Sequence, residues 1–376
     1  MDIEVDELYT PLGIKENVRL KLGSSKGSLW FRSGIHPGFA DAHAHPHVLD
    51  GGITGKPWEN YVEWFMYRNL RIDETALRND LELCTKLSKL TLMLEALEGA
   101  TLVALTGNYR ANIRAAIELK HRPRVVVMPT VIERHGWDPL ERIVPVVKYV
   151  EEFDAGETLR LGLFCHSLKF TRKDHIEKCY RLAENNGLIL GLHLSEGIEE
   201  LNVLRSLIRL PSRTRIVGVH CIEDEDYTSN GIYVVQCISS NLALYGRTQK
   251  DFSKVHAFGT DWPLIFGGIQ KELRSVLKFY GKSLLPAIIR KATINGYRAY
   301  KVRYEGDYAF FDEKIETALE RKVEPRYVFV RGESIVEERK IAGLDHEAVL
   351  RMVEEAKQEA FEKYSVEKVI EWLRRQ

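Results

Sequence analysis

Eight short apolar runs, alternating with longer helix-like segments, most constrain how this chain can fold. The runs are almost continuously hydrophobic, which is typical of parallel strands covered on both faces. We place the strands at 38–45, 100–106, 124–132, 160–166, 188–194, 215–220, 232–237 and 255–260. The helical stretches lie mainly at 61–98, 108–120, 138–152, 172–186 and 197–209. Eight such units predict an α/β chain with a (β/α)8 barrel. A doubly wound open sheet is the alternative, but no Gly-rich dinucleotide motif follows the first strand.

Both ends of the 376-residue chain fall outside the predicted barrel. The terminal segments contain short extended patterns separated by turn-like glycines, and the last segment is charged and periodic like a helix. We therefore expect a barrel over 36–301 and a small, β-sandwich-like domain formed by 1–35 together with 302–340. Residues 341–376 are expected to form a C-terminal helical extension.

Charge and composition exclude several classes of partner. The formal net charge is zero, which argues against nucleic acid and anionic membrane surfaces. The apolar runs are too short to cross a bilayer, and the acidic N-terminus lacks the apolar region of a secretory signal. The five cysteines contain no CxxC pair, as expected for reduced thiols in a cytoplasmic protein. We expect a small-molecule substrate, no nucleic-acid or membrane partner, and leave homo-oligomer formation open.

Titratable residues occupy the ends of five of the predicted strands. His43 and His45 are two residues apart on the first strand, so their side chains share one face. Catalytic groups of a barrel lie at the C-terminal strand ends. Those ends carry His43 and His45, then His166, His193, His220 and, after the last strand, Asp261. A buried core histidine or a helix-capping aspartate would explain any one of them. Their joint placement instead predicts a common site.

Several motifs resemble the amidohydrolase superfamily of metal-dependent hydrolases. The most specific are Asp41-Ala-His43-Ala-His45 on the first strand and His193-Leu-Ser-Glu196 on the fifth. The second motif is similar to that of the mononuclear branch, which contains chlorohydrolases and adenosine-, cytosine- and guanine-type deaminases. Further matching segments are 95–101 (EALEGAT), 219–221 (VHC), 236–241 (QCISSN), 258–261 (FGTD) and 292–296 (ATING). The resemblance therefore covers nearly the whole chain.

The resemblance implies one divalent metal ion, zinc or alternatively iron, bound by His43, His45, His193 and Asp261. Three imidazoles and a carboxylate suit such an ion, which generates hydroxide from bound water near neutral pH. It also implies that Glu196 acts as general acid and base. His220 and Asp261 complete the implied catalytic set, with His220 orienting the hydroxide and stabilising the charge of the intermediate.

Substrate contacts are implied for His166, Trp262 and Asn241. His166 corresponds to a strand-4 histidine that contacts substrate in this branch, and Trp262 would form a pocket wall. The branch usually has a Pro-His-Ala-Pro-Tyr-like run here, whereas this chain reads Cys-His-Ser-Leu-Lys-Phe-Thr over 165–171. The departure leaves the identity of the substrate open.

The implied reaction is hydrolytic deamination of an aminated heterocycle at a non-peptide C–N bond. Hydrolysis of a cyclic amide, as in imidazolonepropionase-like enzymes, requires the same residues. A binuclear amidase or lactonase is a further alternative, because Lys169 stands near the place of a carboxylated, metal-bridging lysine. A non-catalytic metal-binding barrel is the alternative from another class.

Overall fold

The computed structural model describes residues 1–23, 27–69, 71–133, 140, 142–143, 145–146 and 158–366. The strands found in these ranges are, in chain order, β1 (Asp2–Thr10), β2 (Gly13–Lys21), β3 (Ser28–Ile35), β4 (Phe39–Ala44), β5 (Ala100–Gly107), β6 (Arg124–Val131), β7 (Leu159–Leu161), β8 (Leu163–Cys165), β9 (Ile189–Leu194), β10 (Arg215–His220), β11 (Ile232–Gln236), β12 (Ala257–Phe258), β13 (Tyr308–Phe311), β14 (Tyr327–Val330) and β15 (Glu333–Glu337).

The α-helices among the same residues are Tyr61–Arg68, Glu74–Asn79, Leu81–Leu97, Tyr109–Glu118, Lys173–Asn186, Leu201–Leu207, Ile238–Tyr245, Pro263–Phe266, Ile269–Tyr280, Leu285–Arg290, Gly296–Ala299, Ile315–Arg321 and His346–Tyr364. Short 3₁₀ turns lie at Phe252–Lys254 and Lys282–Leu284, and a π-helical turn spans Lys291–Asn295. None of the helices in the described ranges has both the length and the hydropathy that a bilayer span requires.

Strands β4 to β12 form a parallel barrel, as the sequence predicts. The order is β4-β5-β6-β8-β9-β10-β11-β12, and β7 pairs with β6 beside β8, so that both occupy the fourth position. The first and last strands meet where the backbone N–H of His45 donates to the carbonyl of Asp261 at 2.6 Å. The N–H of Asp261 donates in turn to the carbonyl of His43 at 2.9 Å. This contact brings residues from the two ends of the sheet together.

Apolar residues on both faces of the strands explain the barrel. Val125 and Val127 of β6 pack against the surrounding helices, whereas Val126 and Met128 belong to the cluster that fills the interior. Side chains alternate across a strand, so both layers need hydrophobic residues. The continuous runs in the sequence therefore reflect burial on two sides.

Strands from both chain ends form a second sheet, in the order β15-β14-β13-β3-β1-β2. The C-terminal helix His346–Tyr364 packs on Leu81–Leu97 of the barrel. Sheet and helix agree with the predicted accessory elements, while the domain bounds at 35, 302 and 341 stay predictions. Part of the predicted C-terminal helix, 367–376, lies outside the described residues.

The predicted helix 61–98 is three helices, and the reason is local capping. Asp73 accepts a hydrogen bond from the N–H of Ala76, and Asp80 accepts one from the N–H of Leu83. An aspartate cap satisfies N–H groups that begin a new helix. The predicted helix 197–209 begins only at Leu201, and most of 138–152 lies outside the described residues.

Candidate metal and active site

Three histidines at the C-terminal end of the barrel point their Nε2 atoms at one another. The Nε2 atom of His43 lies 2.9 Å from that of His45 and 3.2 Å from that of His193. The Nε2 atoms of His45 and His193 are also 3.2 Å apart. Oδ1 of Asp261 lies 3.5 Å and 3.7 Å from the Nε2 atoms of His45 and His43. Residues from β4, β9 and the segment after β12 therefore converge on one point.

This arrangement fits a metal ion. Nitrogen ligands 2.0–2.1 Å from a tetrahedral zinc ion lie roughly 3.3 Å from each other, close to the spacing of the three imidazoles. Within the described ranges, only His43, His45 and His193 bring three possible ligand atoms within 4.8 Å of one another. We call these three residues the histidine group. Three neutral nitrogens and a carboxylate oxygen are a suitable donor set for zinc.

The imidazoles are held in the neutral, metal-binding form. Burial lowers the pKa of His43, His45 and His193 well below the ordinary histidine value. For His45 a hydrogen bond also selects the tautomer. The Thr106 hydroxyl donates to the carbonyl of Ala44 at 3.1 Å and lies 2.9 Å from Nδ1 of His45. Since the hydroxyl hydrogen is used, Nδ1 is the donor and the lone pair remains on Nε2.

His220 lies beside the histidine group and is oriented by an amide. Nδ1 of His220 lies 2.8 Å from Oδ1 of Asn241. The amide nitrogen of Asn241 donates to Oε1 of Gln236 and to the Thr248 hydroxyl oxygen, both at 3.0 Å. Oδ1 is therefore the end that faces His220, and the ring donates through Nδ1. The Nε2 lone pair of His220 is directed to the other side of the ring.

Glu196 faces His220 in the same buried region. Its Oε1 atom lies 3.8 Å from Nε2 of His220 and accepts a 2.6 Å hydrogen bond from the Tyr245 hydroxyl. Burial raises the pKa of Glu196 to about 8. The same cause raises the pKa of Asp261 to about 6. The site thus combines neutral nitrogens with a carboxyl group whose pKa is raised toward neutral pH.

The backbone is strained where strands end in the site. His220 and Asp261 have positive φ angles of 70° and 61°, and Ser195, next to Glu196, has 53°. Such left-handed residues cost free energy and cluster at functional sites. At Gly259 a Cβ atom would lie 2.7 Å from the backbone nitrogen of His43. Glycine therefore permits the close approach of the last strand to the first.

A narrow cavity of about 50 Å³ adjoins these groups. Trp262 forms one wall and stacks on Trp64 with ring centroids 5.6 Å apart. His166 and Phe65 line it elsewhere, with ring centroids 5.3 Å apart. The walls combine aromatic rings with the polar groups of the site, which suits a flat, small ligand that carries hydrogen-bonding atoms. The predicted substrate residues His166 and Trp262 therefore do lie on the cavity wall.

Two sequence-based candidates lie elsewhere. Asn241 is fully buried behind His220 and does not line the cavity, so its position suits orientation of His220 rather than substrate contact. Lys169 is exposed, three residues beyond His166, and is not part of the metal-binding group. A bridging role for Lys169 finds no support in this arrangement.

Other residues of the site were missed from the sequence. Thr106, Tyr245 and Trp64 contact site residues only through the tertiary fold, and nothing in their local sequence marks them. Arg68 and Glu74 form an ion pair on the cavity wall. Both residues lie in helices of a charged stretch, and nothing in that stretch distinguishes them from their neighbours.

Solved structures with the same fold were found for nearly the whole chain, although no protein-family model and no curated protein matches it. An adenosine deaminase from Xanthomonas campestris with bound zinc is 16% identical, with a TM-score of 0.76 over 96% of this chain and 98% of that one. Atrazine chlorohydrolase from Arthrobacter aurescens TC1, complexed with zinc, is 14% identical, with a TM-score of 0.73 over 95% and 99%.

Aminofutalosine deaminase from Helicobacter pylori is 15% identical, with a TM-score of 0.66 over 89% of this chain and 99% of that one. At such identities the likeness establishes the fold, which is that of barrel deaminases and chlorohydrolases. The fold expected from the resemblance to the amidohydrolase superfamily is thus confirmed.

Proposed function

We propose that this chain is a metal-dependent hydrolase of the amidohydrolase superfamily that deaminates an aminated heterocycle. One divalent ion, zinc or alternatively iron, would be held by His43, His45, His193 and Asp261. The observation that carries the proposal is the convergence of three neutral imidazole nitrogens beside Glu196, whose pKa is raised. The bound metal would lower the pKa of water and so provide the nucleophile near neutral pH.

Glu196 exchanges the protons of the reaction. It takes a proton from the attacking water and delivers it to the amino group that leaves as ammonia. A carboxyl group can do both only if its pKa lies near the working pH. The pKa of about 8 produced by burial meets that condition. The hydrogen bond from Tyr245 holds Oε1 in place during the transfer.

His220 orients the attacking water. Because Nδ1 donates to Asn241, the neutral ring offers an acceptor nitrogen on the side of Glu196. An acceptor can hold one O–H of the water and so direct an oxygen lone pair at the substrate. This arrangement supports the orienting role more than stabilisation of negative charge, which would need a protonated ring.

The aromatic walls favour a flat substrate. Trp262 and Phe65 offer ring faces and edges against which a heterocycle can stack. His166 lies on the cavity wall beside the histidine group, with its ring centroid 5.0 Å from that of His193. We assign His166 and Trp262 to substrate positioning. A small-molecule substrate, possible self-association and a cytoplasmic location complete the proposal.

The alternatives are less well supported. The three solved structures described above are deaminases and a chlorohydrolase, which favours deamination over ring opening. A binuclear enzyme would need Lys169 at the metal group. A non-catalytic barrel would not need Glu196 buried beside the ligands.

A screen of aminated purines, pyrimidines and triazines, together with cyclic ureides, tests the proposal. Ammonia release is expected from an aminated ring with the metal-loaded chain, and not from the matched Glu196→Gln variant. A ring-opened acid without ammonia would identify a cyclic amidase instead. Absence of turnover with the whole panel in the metal-loaded chain would count against the proposed substrate class.

A further inference from the structure

A second, larger concavity lies outside the barrel mouth. It has a volume of about 760 Å³ and is bounded by the helix Ile269–Tyr280, the residue Lys322 after the helix Ile315–Arg321, and the start of the helix His346–Tyr364. Helices of the barrel, the segments before β14 and after β15, and the C-terminal helix contribute to its walls. We call it the interdomain groove. Its size falls in the range of small-molecule sites, roughly 300–1,000 Å³.

The acidic residues of the interdomain groove already have partners. Glu98 accepts hydrogen bonds from the backbone N–H groups of Gly268, Gln270 and Lys271, at 3.1, 2.8 and 3.2 Å. The side chain of Asp345 accepts a hydrogen bond from the N–H of Ala348 and so caps the start of the C-terminal helix. Oε1 of Glu324 lies 3.9 Å from Nδ1 of His346. Oε2 of Glu347 lies 4.0 Å from Nη1 of Arg351.

The donors of the groove are not matched in this way. Gln270 is only 2% exposed, and its Nε2 atom is buried without a hydrogen-bond partner among the described residues. Arg274 lies one turn further along the same helix face and is half-buried. Within the described ranges, the side chains of Lys271, Arg274 and Lys322 form no hydrogen bond or ion pair. Burial lowers the pKa of Arg274 even though Glu98 and Glu324 are near.

We propose that the interdomain groove binds a small metabolite through an oxyanion, a phosphate or carboxylate group, held by Arg274 and Lys271. A guanidinium group binds such oxyanions with two parallel hydrogen bonds, and an ammonium adds a point charge. Arg274 and Lys271 lie on one helix of the groove, and neither side chain forms an ion pair or hydrogen bond among the described residues.

The groove shares a wall with the candidate active site. Phe266 lines the groove and stacks on Trp262, with ring centroids 5.7 Å apart. Trp262 lines the cavity beside the histidine group. The stacked pair of Phe266 and Trp262 therefore separates the groove from the cavity beside the histidine group. The binding itself does not depend on the proposed hydrolase activity, and each can fail without the other.

Calorimetric titration of the full chain with inorganic phosphate and with adenosine monophosphate tests this site. Saturable binding is expected, weakened about tenfold or more by Arg274→Gln, since hydrogen bonds to charged groups are worth about 1.5–3 kcal/mol. Lys271→Gln, at an exposed position, is expected to weaken it about two- to fivefold. Lys278→Gln, an exposed lysine on the same helix but outside the groove, is the matched control and leaves binding unchanged.

Comparison of inorganic phosphate with adenosine monophosphate distinguishes a free phosphate ion from a phosphorylated metabolite as the ligand. Similar binding of both would indicate free phosphate as the ligand, and tighter binding of the nucleotide would indicate a phosphorylated metabolite. Phosphate could also bind at the histidine group, so His193→Ala is titrated in parallel. Binding lost in His193→Ala but retained in Arg274→Gln and Lys271→Gln would overturn the proposal. So would the absence of saturable binding of either ligand.

Discussion

The hydroxyl of Tyr245 donates a 2.6 Å hydrogen bond to Oε1 of Glu196. This bond stabilises the carboxylate and lowers its pKa against the larger effect of burial, which raises it to about 8. The residues come from different β/α units, so the pKa of the proposed proton carrier is set by tertiary structure.

Tyr245→Phe is expected to move the Glu196-dependent limb of the pH profile of kcat/KM to higher pH, because the variant loses the bond that favours the charged form. The profile is measured with the substrate found in the screen. Tyr61→Phe is the control, since the Tyr61 hydroxyl donates to Glu200 at 2.8 Å and not to Glu196. Equal shifts in the two variants would contradict the assignment.

Glu196→Gln is expected to lower turnover by about 10² or more, since proton transfer by a positioned group contributes 10²–10⁴. Metal content, measured by mass spectrometry, should not change, because Glu196 lies outside the histidine group. Loss of metal together with activity would show that Glu196 acts as a ligand instead.

Thr106→Val is expected to weaken metal binding about 10- to 100-fold, the usual effect of removing a group that orients a ligand. The Thr106 hydroxyl fixes the tautomer of His45. Competition with a chelator measures the affinity. Thr101→Val removes another buried hydroxyl from the same strand, away from the histidines, and should leave the affinity unchanged. An equal loss in both variants would point to a general disturbance of β5.

One equivalent of metal per chain is expected, and Lys169→Ala should retain it. Chelation should lower the melting temperature, because a ligand that binds only the folded state stabilises it. Two equivalents that fall to one in Lys169→Ala would establish a binuclear site and reject the mononuclear assignment.

Asp307→Ala is expected to lower the free energy of unfolding by about 3–5 kcal/mol, since it removes one partner of a buried ion pair. The carboxylate of Asp307 accepts from Nε and Nη2 of Arg124 at 2.6 and 2.9 Å. Denaturant unfolding measures the loss. Glu338→Ala breaks the exposed pair with Arg326 and should cost less than about 1 kcal/mol. Similar losses of unfolding free energy in the two variants would show that the buried pair stabilises the protein no more than the exposed pair.

Stability should depend on pH through His346. Its hydrogen bond with Glu98 raises the pKa of His346 above the ordinary value of 6.5. A raised folded-state pKa stabilises the protein fully below the unfolded value, and the gain is lost as the pH rises through the folded value. The free energy of unfolding of the wild type should therefore be higher than that of His346→Gln at pH 6. The difference between the two should be smaller at pH 8.5. A difference independent of pH would contradict the protonated pair.

The residues that were predictable share a local signal. The eight barrel strands are continuous apolar runs, and His43, His193, His220 and Asp261 stand at strand ends where a barrel places its site. The breaks at Asp73 and Asp80 also had a signal, an aspartate before a helical segment, which helical periodicity alone overlooks.

The residues that were not predictable act through distant contacts. The Thr106 hydroxyl contacts Nδ1 of His45, 61 positions earlier in the chain, and Tyr245 reaches Glu196 across 49 positions. Substrate contact for Asn241 is implied only by the resemblance of the motif at 236–241 to the aminohydrolase branch. The direction of its side chain, toward His220, depends on how the helix Ile238–Tyr245 packs.

The closure of the barrel at Ala44 and Asp261 has a consequence for the order of assembly. The three histidines of the metal-binding group come from the first and fifth strands, and Asp261, the fourth proposed ligand, follows the last strand. The proposed set of four is therefore complete only when the barrel is closed. A nascent or truncated chain that ends before residue 261 lacks both the closing hydrogen bonds and one candidate ligand. Binding of a metal by all four proposed ligands would therefore require the closed barrel, whereas an open barrel would offer only the three histidines.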